Sequence, residues 1–247
     1  MPPKKVPSAY TALAQKFFGH VTAWVEQGSD PVIQKSTQSA GVCSVMVEEW
    51  IRSGVNDAEP AFRALLGSGE YAHFVKLQKQ GDFVQRQVVR GDQFLVSDTV
   101  ARGHMTLGDR QSLQTHQSTT YDRNKTVPGL TVVNLTDPPE ALGTYLDFAF
   151  ELSKAARRNL PPPAPASGAV AFYKLGLDDS EGGGGHAIGL KVEQPTGAKA
   201  HFSVLDPNTG EFTGLSETVF TKFWVSYMDQ TYGKSYLGGT WSMLQVS

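Results

Sequence analysis

The sequence predicts an α+β fold, with helices in the first part of the chain and an antiparallel sheet in the last third. Apolar residues recur at helical spacing before residue 80, whereas three short β-rich runs separated by turn residues follow after residue 168. A chain of 247 residues can bury a full hydrophobic core without disulfide or metal staples. Helices followed by an antiparallel sheet with a late helix indicate a single α+β domain.

Four helices are predicted before residue 80. The first covers residues 10–27 and precedes a polar connection over 29–40. The second extends over 41–54. Its apolar stripe consists of Cys43, Met46, Val47, Trp50 and Ile51. Asp57 is expected to cap the third helix, and Ser68 to cap a fourth that runs to about residue 79.

The rest of the chain divides into an irregular middle and a β-rich end. Residues 81–126 are polar and lack periodicity, which predicts a loop-rich insertion. A strand is predicted at 130–135, a helix from Asp137 to about residue 158, and a proline-rich connector over 159–168. The remaining predicted elements are strands at 169–177, 186–194 and 201–206, a helix from Ser216 and a final strand at 240–246.

Composition and charge exclude several classes of protein. The 22 Lys and Arg against 24 Asp and Glu give a formal charge of −2, which argues against a nucleic acid partner. A single cysteine excludes an internal disulfide and a multi-thiolate zinc site, and its free thiol favours a reducing place of action. No apolar run reaches about 18 residues, so no integral membrane segment is expected, and the N-terminus lacks the apolar stretch of a conventional secretory signal.

Cys43, the only cysteine, stands at the start of the second predicted helix. Its position on an apolar stripe is typical of a buried, inert thiol. A nucleophile is favoured by Gly41, which lets the backbone approach closely, and by the first helical turn, where unpaired N–H groups and the helix dipole stabilise a thiolate. Such placement lowers a cysteine pKa from about 8.5 into a range of about 3.5–7.5. From Cys43 alone, both interpretations stay open.

His186 follows four glycines and opens a predicted strand of small and apolar residues. A flexible hairpin with an incidental histidine would have the same sequence. A phosphate-binding loop is disfavoured, because no Lys-Ser/Thr pair and no helix follows the glycines. Of the six histidines, only His186 lies beside a loop without side chains, where it is open to a partner across a cleft.

Asp206 ends the strand that precedes the turn sequence Asp-Pro-Asn-Thr-Gly, and Pro207 holds Asp206 in an extended backbone. If strands 186–194 and 201–206 pair antiparallel, the end of one lies beside the start of the other, which predicts contact between Asp206 and His186. A thiolate nucleophile needs a base, and the base needs a group that fixes its tautomer. Cys43, His186 and Asp206 can fill these roles, in the chain order of papain-like enzymes.

These motifs together resemble the YopT-type cysteine proteases. The matching stretches are Gly-Val-Cys-Ser-x-Met-Val-x-x-Trp over 41–50, Gly-Gly-His-Ala-Ile-Gly-Leu over 184–190 and Val-Leu-Asp-Pro-Asn-x-Gly-x-Phe over 204–212. The resemblance implies a papain-like fold, with the nucleophile at a helix N-terminus packed on an antiparallel sheet that carries histidine and aspartate. It divides the chain into an N-terminal helical segment over 1–28 and a catalytic domain over 29–247.

By that resemblance Cys43 is the nucleophile, His186 the base and Asp206 the group that orients the base. The family also places a side-chain amide a few residues before the cysteine to help hold the oxyanion. Gln38 matches that position, although it is longer than the expected Asn. The Cys43 backbone N–H is the expected second donor. Residues 81–126 have no counterpart in the family.

The resemblance further implies a monomeric bacterial effector, delivered by a dedicated secretion system and active in the host cytoplasm. Its substrate would be a host protein such as a lipid-anchored GTPase or a kinase, and neither a metal nor an organic cofactor is expected. The alternative is a glutamine deamidase effector that uses the same triad. A peptidoglycan amidase is disfavoured by the absence of a DCSG-like signature, and a binding module in which the three residues are structural stays open.

Overall fold

A computed structural model describes residues 6–36, 42–78, 132–136, 139–163, 168–178 and 185–246 of the chain. Within these ranges the chain forms one sheet of eight antiparallel strands, with helices packed on both faces. The α+β class predicted from the sequence is therefore confirmed. No helix among these residues is long and apolar enough to cross a membrane.

At the centre of the sheet, strands that follow one another in the sequence are also neighbours in space. The strands of the sheet are β1 His20–Ala23, β2 Val132–Asn134, β3 Glu140–Ala141, β4 Ala169–Asp178, β5 Gly185–Gln194, β6 His201–Asp206, β7 Gly210–Ser216 and β8 Thr240–Val246. Their order across the sheet is β1-β7-β6-β5-β4-β8-β2, and β3 also pairs with β8. The start of β5 and the end of β6 therefore lie side by side in the middle of the sheet.

Two layers of helices cover the sheet. The helices are α1 Ser8–Lys16, α2 Pro31–Ser36, α3 Cys43–Val55, α4 Glu59–Ser68, α5 over 72–78, α6 Tyr145–Arg158 and α7 Glu217–Tyr232, with a 3-10 turn at Gln27–Ser29. Helices α3, α4 and α5 contribute to the core on one face, whereas α1, α6 and α7 contribute to the larger core on the other.

Side chains of the central strands alternate between these two cores. On β4, Tyr173 and Leu175 face α6 and α7, whereas Phe172, directly before Tyr173, belongs to the core beneath α3. On β5, Ile188 and Ala187 divide in the same way. A site where the start of β5 meets the end of β6 can therefore combine residues from both helical layers.

The first helix is shorter than predicted, because the chain turns at Phe18 and Gly19. Helix α1 ends at Lys16, Phe18 has a φ of +59°, and residues 20–23 join the sheet beside β7. A Cβ at Gly19 would lie 2.7 Å from Leu215 Cδ2, so this close approach requires glycine. The prediction of a helix over 10–27 is therefore wrong after residue 16. The predicted domain boundary at residue 28 stays a prediction.

The connection predicted over 29–40 contains the helix α2. The Asp30 carboxylate accepts hydrogen bonds from two backbone N–H groups of the first turn, 2.9 and 3.3 Å away, and Pro31 occupies the first helical position. The predicted cap at Asp57 is wrong. Ala58 takes the cap position of α4, and Asp57 turns the chain with a φ of +55°.

The last third of the chain follows the prediction, with one strand added. The predicted strands and the predicted late helix appear as β4, β5, β6, β8 and α7. Strand β7 was not predicted, because it begins at Gly210 inside the turn signature. Gly210 has a φ of +121°, and a Cβ there would lie 2.1 Å from the Ala23 carbonyl oxygen, so glycine allows β1 and β7 to pair.

The helix predicted from Asp137 begins later. Helix α6 starts at Tyr145, after the short strand β3, and the Thr144 hydroxyl accepts a hydrogen bond from the Asp147 backbone N–H at 3.1 Å. The insertion predicted over 81–126 lies outside the described residues.

Candidate active site

Cys43 is the first residue of α3, and its side chain is half-buried at the edge of the core beneath that helix. The helix forms as the apolar stripe predicts, with Met46, Val47, Trp50 and Ile51 almost fully buried. The thiol is thus neither sealed in hydrocarbon nor fully exposed. It lies where the N-terminal N–H groups of α3 have no partner within the helix, which favours negative charge.

Helix α3 packs directly on β5 because Gly189 has no side chain. A Cβ at Gly189 would lie 2.6 Å from Trp50 Cε3 and 2.7 Å from Trp50 Cζ3. The indole ring therefore rests on the strand backbone. This close packing sets the height of α3 above the sheet and with it the position of Cys43 over the start of β5.

His186 and Asp206 meet where the start of β5 lies beside the end of β6. Gly189 pairs with Leu205, so Asp206 and His186 are diagonal neighbours on adjacent antiparallel strands. His186 Nε2 lies 2.9 Å from Asp206 Oδ1, and both side chains are buried. The contact predicted from strand pairing is present, while the catalytic roles of the two residues stay a prediction.

Cys43 is hydrogen-bonded to His186, the same imidazole whose Nε2 contacts the Asp206 carboxylate. Burial raises the pKa of the Cys43 thiol, but the hydrogen bond and the positive charge of His186 outweigh it and leave that pKa below its ordinary value. The backbone N–H of Ala187 and the charge of Lys174 lower it further.

The pKa values of His186 and Asp206 shift in opposite directions. Burial lowers the pKa of His186, but the charge and hydrogen bond of Asp206 outweigh burial and leave it raised. Burial raises the pKa of Asp206, yet the His186 charge and hydrogen bonds bring it below its ordinary value. The site therefore favours an ionised carboxylate next to a protonated imidazole, which in turn stabilises a thiolate.

Two tyrosines from α7 hold the other carboxylate oxygen. The hydroxyls of Tyr227 and Tyr232 each donate to Asp206 Oδ2 at 2.5 Å, and the backbone N–H of Asn208 donates to Oδ1 at 2.8 Å. The ring of Tyr232 also lies 5.7 Å from that of His186, centroid to centroid. With His186, the carboxylate has four donors, so its charge is fully satisfied.

Sequence analysis did not identify these tyrosines as site residues. The sequence predicts a helix from Ser216 that includes both of them, but no motif links that helix to the Asp206 turn. The same holds for Gln27, which is 3% exposed and bonded to Asn208. Gln38, the predicted oxyanion donor, lies outside the described residues.

Lys174 on β4 supplies a second positive charge near the nucleophile. Its Nζ donates to Ser44 Oγ at 2.8 Å and to Glu48 Oε1 at 2.7 Å, and both partners belong to the first two turns of α3. Ser44 also donates to Glu48 Oε1 at 3.0 Å. Lys174 is thereby fixed beside the residue that follows Cys43.

The arrangement can perform nucleophilic catalysis. A thiol at a helix start, a hydrogen-bonded imidazole and a carboxylate behind that imidazole are the three parts that such chemistry requires. No group of three His, Cys, Asp or Glu side chains within the described ranges is arranged to hold a metal ion.

No protein-family model and no curated protein matches the sequence. Among solved structures, the chain is similar to the crystal structure of Pseudomonas avirulence protein AvrPphB. The two share 17% sequence identity, the match covers 83% of this chain and 91% of that chain, and the TM-score is 0.45. At this level of similarity, function has to be argued from the residues of the site itself.

Proposed function

We propose that this chain is a cysteine protease-type effector that cleaves an amide bond of a host protein through Cys43, His186 and Asp206. The observation that carries the proposal is the hydrogen bond between the Cys43 thiol and the His186 imidazole, whose Nε2 lies 2.9 Å from the buried Asp206 carboxylate. The resemblance of three separate motifs to the YopT-type proteases supports the same assignment.

The first half of the reaction is acylation of the thiolate. The Cys43 sulfur attacks the carbonyl carbon of the scissile amide, and the carbonyl oxygen becomes an oxyanion. His186 donates its proton to the leaving amine, the C–N bond breaks, and a thioester remains on Cys43. The Cys43 backbone N–H, at the first position of α3, is one expected donor to the oxyanion, and Gln38 stays the predicted second donor.

The second half is hydrolysis of the thioester. Neutral His186 takes a proton from water as the water oxygen attacks the acyl carbon, and the C–S bond breaks to release a carboxylic acid. Asp206 holds the imidazole in one tautomer and stabilises its charged form during both halves. The proposed substrate is a host protein of the GTPase or kinase class, and the enzyme acts as a monomer after delivery into the host cytoplasm.

The test compares the wild type with Cys43→Ala in a host-cell lysate, with labelling of newly formed protein N-termini. We expect new N-termini only with the wild type, because the variant lacks the nucleophile. Candidate host proteins are also treated in purified form, whether or not new N-termini appear, and their intact masses are measured. Two fragments support a protease, whereas an uncut chain made slightly heavier by amide-to-acid exchange identifies a deamidase.

A binding module would behave differently in a second measurement that needs no substrate. The proposed enzyme should show fast, pH-sensitive alkylation of Cys43 by iodoacetamide, slowed in His186→Ala. A thiol that reacts slowly at neutral pH and is indifferent to His186, together with unchanged host proteins, would rule out the enzymatic assignment.

A further inference from the structure

A series of four hydrogen bonds joins the start of α3 to Oδ2 of Asp206. The buried Gln27 side chain accepts from the Val42 backbone N–H through Oε1 at 2.8 Å, and its Nε2 donates to Asn208 Oδ1 at 3.0 Å. Asn208 Nδ2 donates to the Tyr232 hydroxyl at 3.2 Å, which donates to Asp206 Oδ2. Val42 immediately precedes Cys43, so this series of hydrogen bonds connects α3, the helix that carries Cys43, to the Asp206 carboxylate.

The Val42 backbone N–H fixes the direction of every hydrogen bond in this series. A backbone N–H can only donate, so the Gln27 carbonyl oxygen must face Val42 and its NH₂ group must face Asn208. Asn208 then turns its oxygen to Gln27 and its NH₂ group to Tyr232. Each donor points towards Asp206, so the aligned dipoles favour a negative charge on that carboxylate.

Gln27 also ties the two segments together mechanically. Its backbone N–H donates to the Pro207 carbonyl oxygen at 3.1 Å, so both its backbone and its side chain contact the turn that follows Asp206. Helix α3 has no side-chain cap from its own N-cap residue Val42. The Gln27 amide, 15 residues earlier in the chain, instead accepts from the backbone N–H of Val42 itself.

We propose that Gln27 is a positioning residue, which together with Asn208 fixes the start of α3 relative to the Asp206 turn and so keeps Cys43 in hydrogen-bond contact with His186. This inference rests on the proposed function, because it concerns the same three residues. The hydrogen bonds of the Gln27 side chain go to Asn208 and Val42, not to the sulfur or the imidazole. Its effect passes through the backbone at Val42 and through Tyr232 to Asp206.

The test measures the pH dependence of Cys43 alkylation by iodoacetamide, which needs no substrate. In Gln27→Ala we expect the alkylation rate at pH 6 to fall about tenfold, because the loss of one buried hydrogen bond is worth about that factor. We also expect the pH profile of alkylation to move towards that of an ordinary thiol. Asn208→Ala should have a similar effect. The double variant should be no slower than the slower single one, since both remove the same link.

The matched control is Gln34→Ala, which removes an exposed amide of the same N-terminal segment that donates to the Gly28 carbonyl oxygen within that segment. Its alkylation profile should equal that of the wild type. Gln27→Glu retains the acceptor for Val42 but, when ionised, has no proton for Asn208, so it should still react slowly above the pKa of the introduced carboxyl, with circular dichroism as the check on its fold. If Gln27→Ala does not fold, Asn208→Ala and Gln27→Glu test the same link.

The outcomes separate this inference from the proposed function. If His186→Ala slows alkylation of Cys43 but Gln27→Ala, Gln27→Glu and Asn208→Ala do not, the positioning role is wrong and the proposed function stands. Multiplicative losses in the double variant would also overturn it. If His186→Ala has no effect either, the proposed function itself fails. With a substrate in hand, Gln27→Ala should lower kcat and leave KM nearly unchanged.

Discussion

Asp206 lies diagonally across from His186 on the neighbouring antiparallel strand, and its Oδ1 is 2.9 Å from His186 Nε2. Neither residue is brought there by a flexible loop, because His186 is the second residue of β5 and Asp206 is the last of β6. The strand register that buries the core side chains therefore also sets the geometry of the site.

Asp206→Asn should abolish most of the activity without moving the strands. The amide can donate to the imidazole and thereby favour the wrong tautomer, and it cannot stabilise the imidazolium, so we expect kcat to fall by about 10²–10⁴. Cys43 alkylation at pH 6 should slow in parallel. Circular dichroism would check the fold, and a variant with near wild-type kcat would contradict the assigned role of Asp206.

Cys43 should react with iodoacetamide over an unusually wide pH range. The pKa of the thiol is lowered and that of His186 is raised, so the thiolate–imidazolium pair is populated between the two values. As the pH falls through the lowered thiol pKa, the reaction should slow. An ordinary thiol would instead slow already below about pH 8.5. A profile with its midpoint at that ordinary value would show that the pair does not form.

Tyr232→Phe should move the acidic limb of the pH–rate profile to higher pH. The hydroxyl stabilises the Asp206 carboxylate and helps to lower its pKa, so its loss raises that pKa and the carboxylate is protonated at a higher pH. We also expect a loss of about tenfold in kcat, since one charge-assisted hydrogen bond is removed.

Tyr173→Phe is the matched control for Tyr232→Phe. The Tyr173 hydroxyl is buried and donates to the Ala156 carbonyl oxygen at 2.6 Å, away from the site. Its loss should lower stability by about 1 kcal/mol and leave the pH profile in place. Equal pH profiles in both tyrosine variants would contradict a specific role for Tyr232.

Gly189→Ala should displace the nucleophile helix. The added methyl would lie 2.6 Å from the Trp50 ring, so α3 or the ring must shift, and we expect a loss of stability of about 1–3 kcal/mol. Cys43 alkylation should lose its dependence on His186. Gly67→Ala is the control, since nothing lies within 4 Å of its Cβ and alanine favours the helix. Unchanged stability and reactivity in Gly189→Ala would contradict the close packing.

The central part of the site could be predicted from the sequence because its geometry is local to strands. The hairpin of β5 and β6 follows from alternating apolar residues and a short turn, and antiparallel pairing then brings His186 and Asp206 together. The position of Cys43 follows from helical periodicity. These short-range rules were sufficient for the contact between His186 and Asp206 and for the place of Cys43 at a helix start. They do not bring Cys43 to His186, because that contact depends on how α3 packs on β5.

The partners of the site could not be predicted, because they depend on tertiary packing. Tyr227 and Tyr232 reach Asp206 only because α7 folds back across the sheet, and Gln27 reaches Val42 only because the chain leaves its first helix at Gly19. That helix break was missed because Val21 and Trp24 fit a helical period equally well. Single-sequence periodicity cannot distinguish a helix from a turn and an edge strand there.

Glu211 on β7 anchors helix α3 through a hydrogen bond to Trp50. The buried carboxylate accepts from Trp50 Nε1 at 2.9 Å and from the Thr22 hydroxyl at 2.6 Å. Arg63 binds both of its oxygens, at 2.6 and 3.0 Å. Burial raises the pKa of Glu211, but these donors outweigh burial and leave it lowered.

Glu211→Gln should therefore destabilise the protein more at neutral than at acidic pH. The carboxylate's contribution is fully present above the unfolded-state pKa of about 4.3 and is lost as the pH falls through the lower folded-state pKa. Because Arg63 is partly exposed and can rehydrate, we expect a loss of about 2 kcal/mol at pH 7, less than for a fully buried pair, measured by urea unfolding. Glu151→Gln, which breaks an exposed pair with Lys154, should cost less than about 0.5 kcal/mol. A loss for Glu211→Gln that grows towards acidic pH would contradict the lowered pKa.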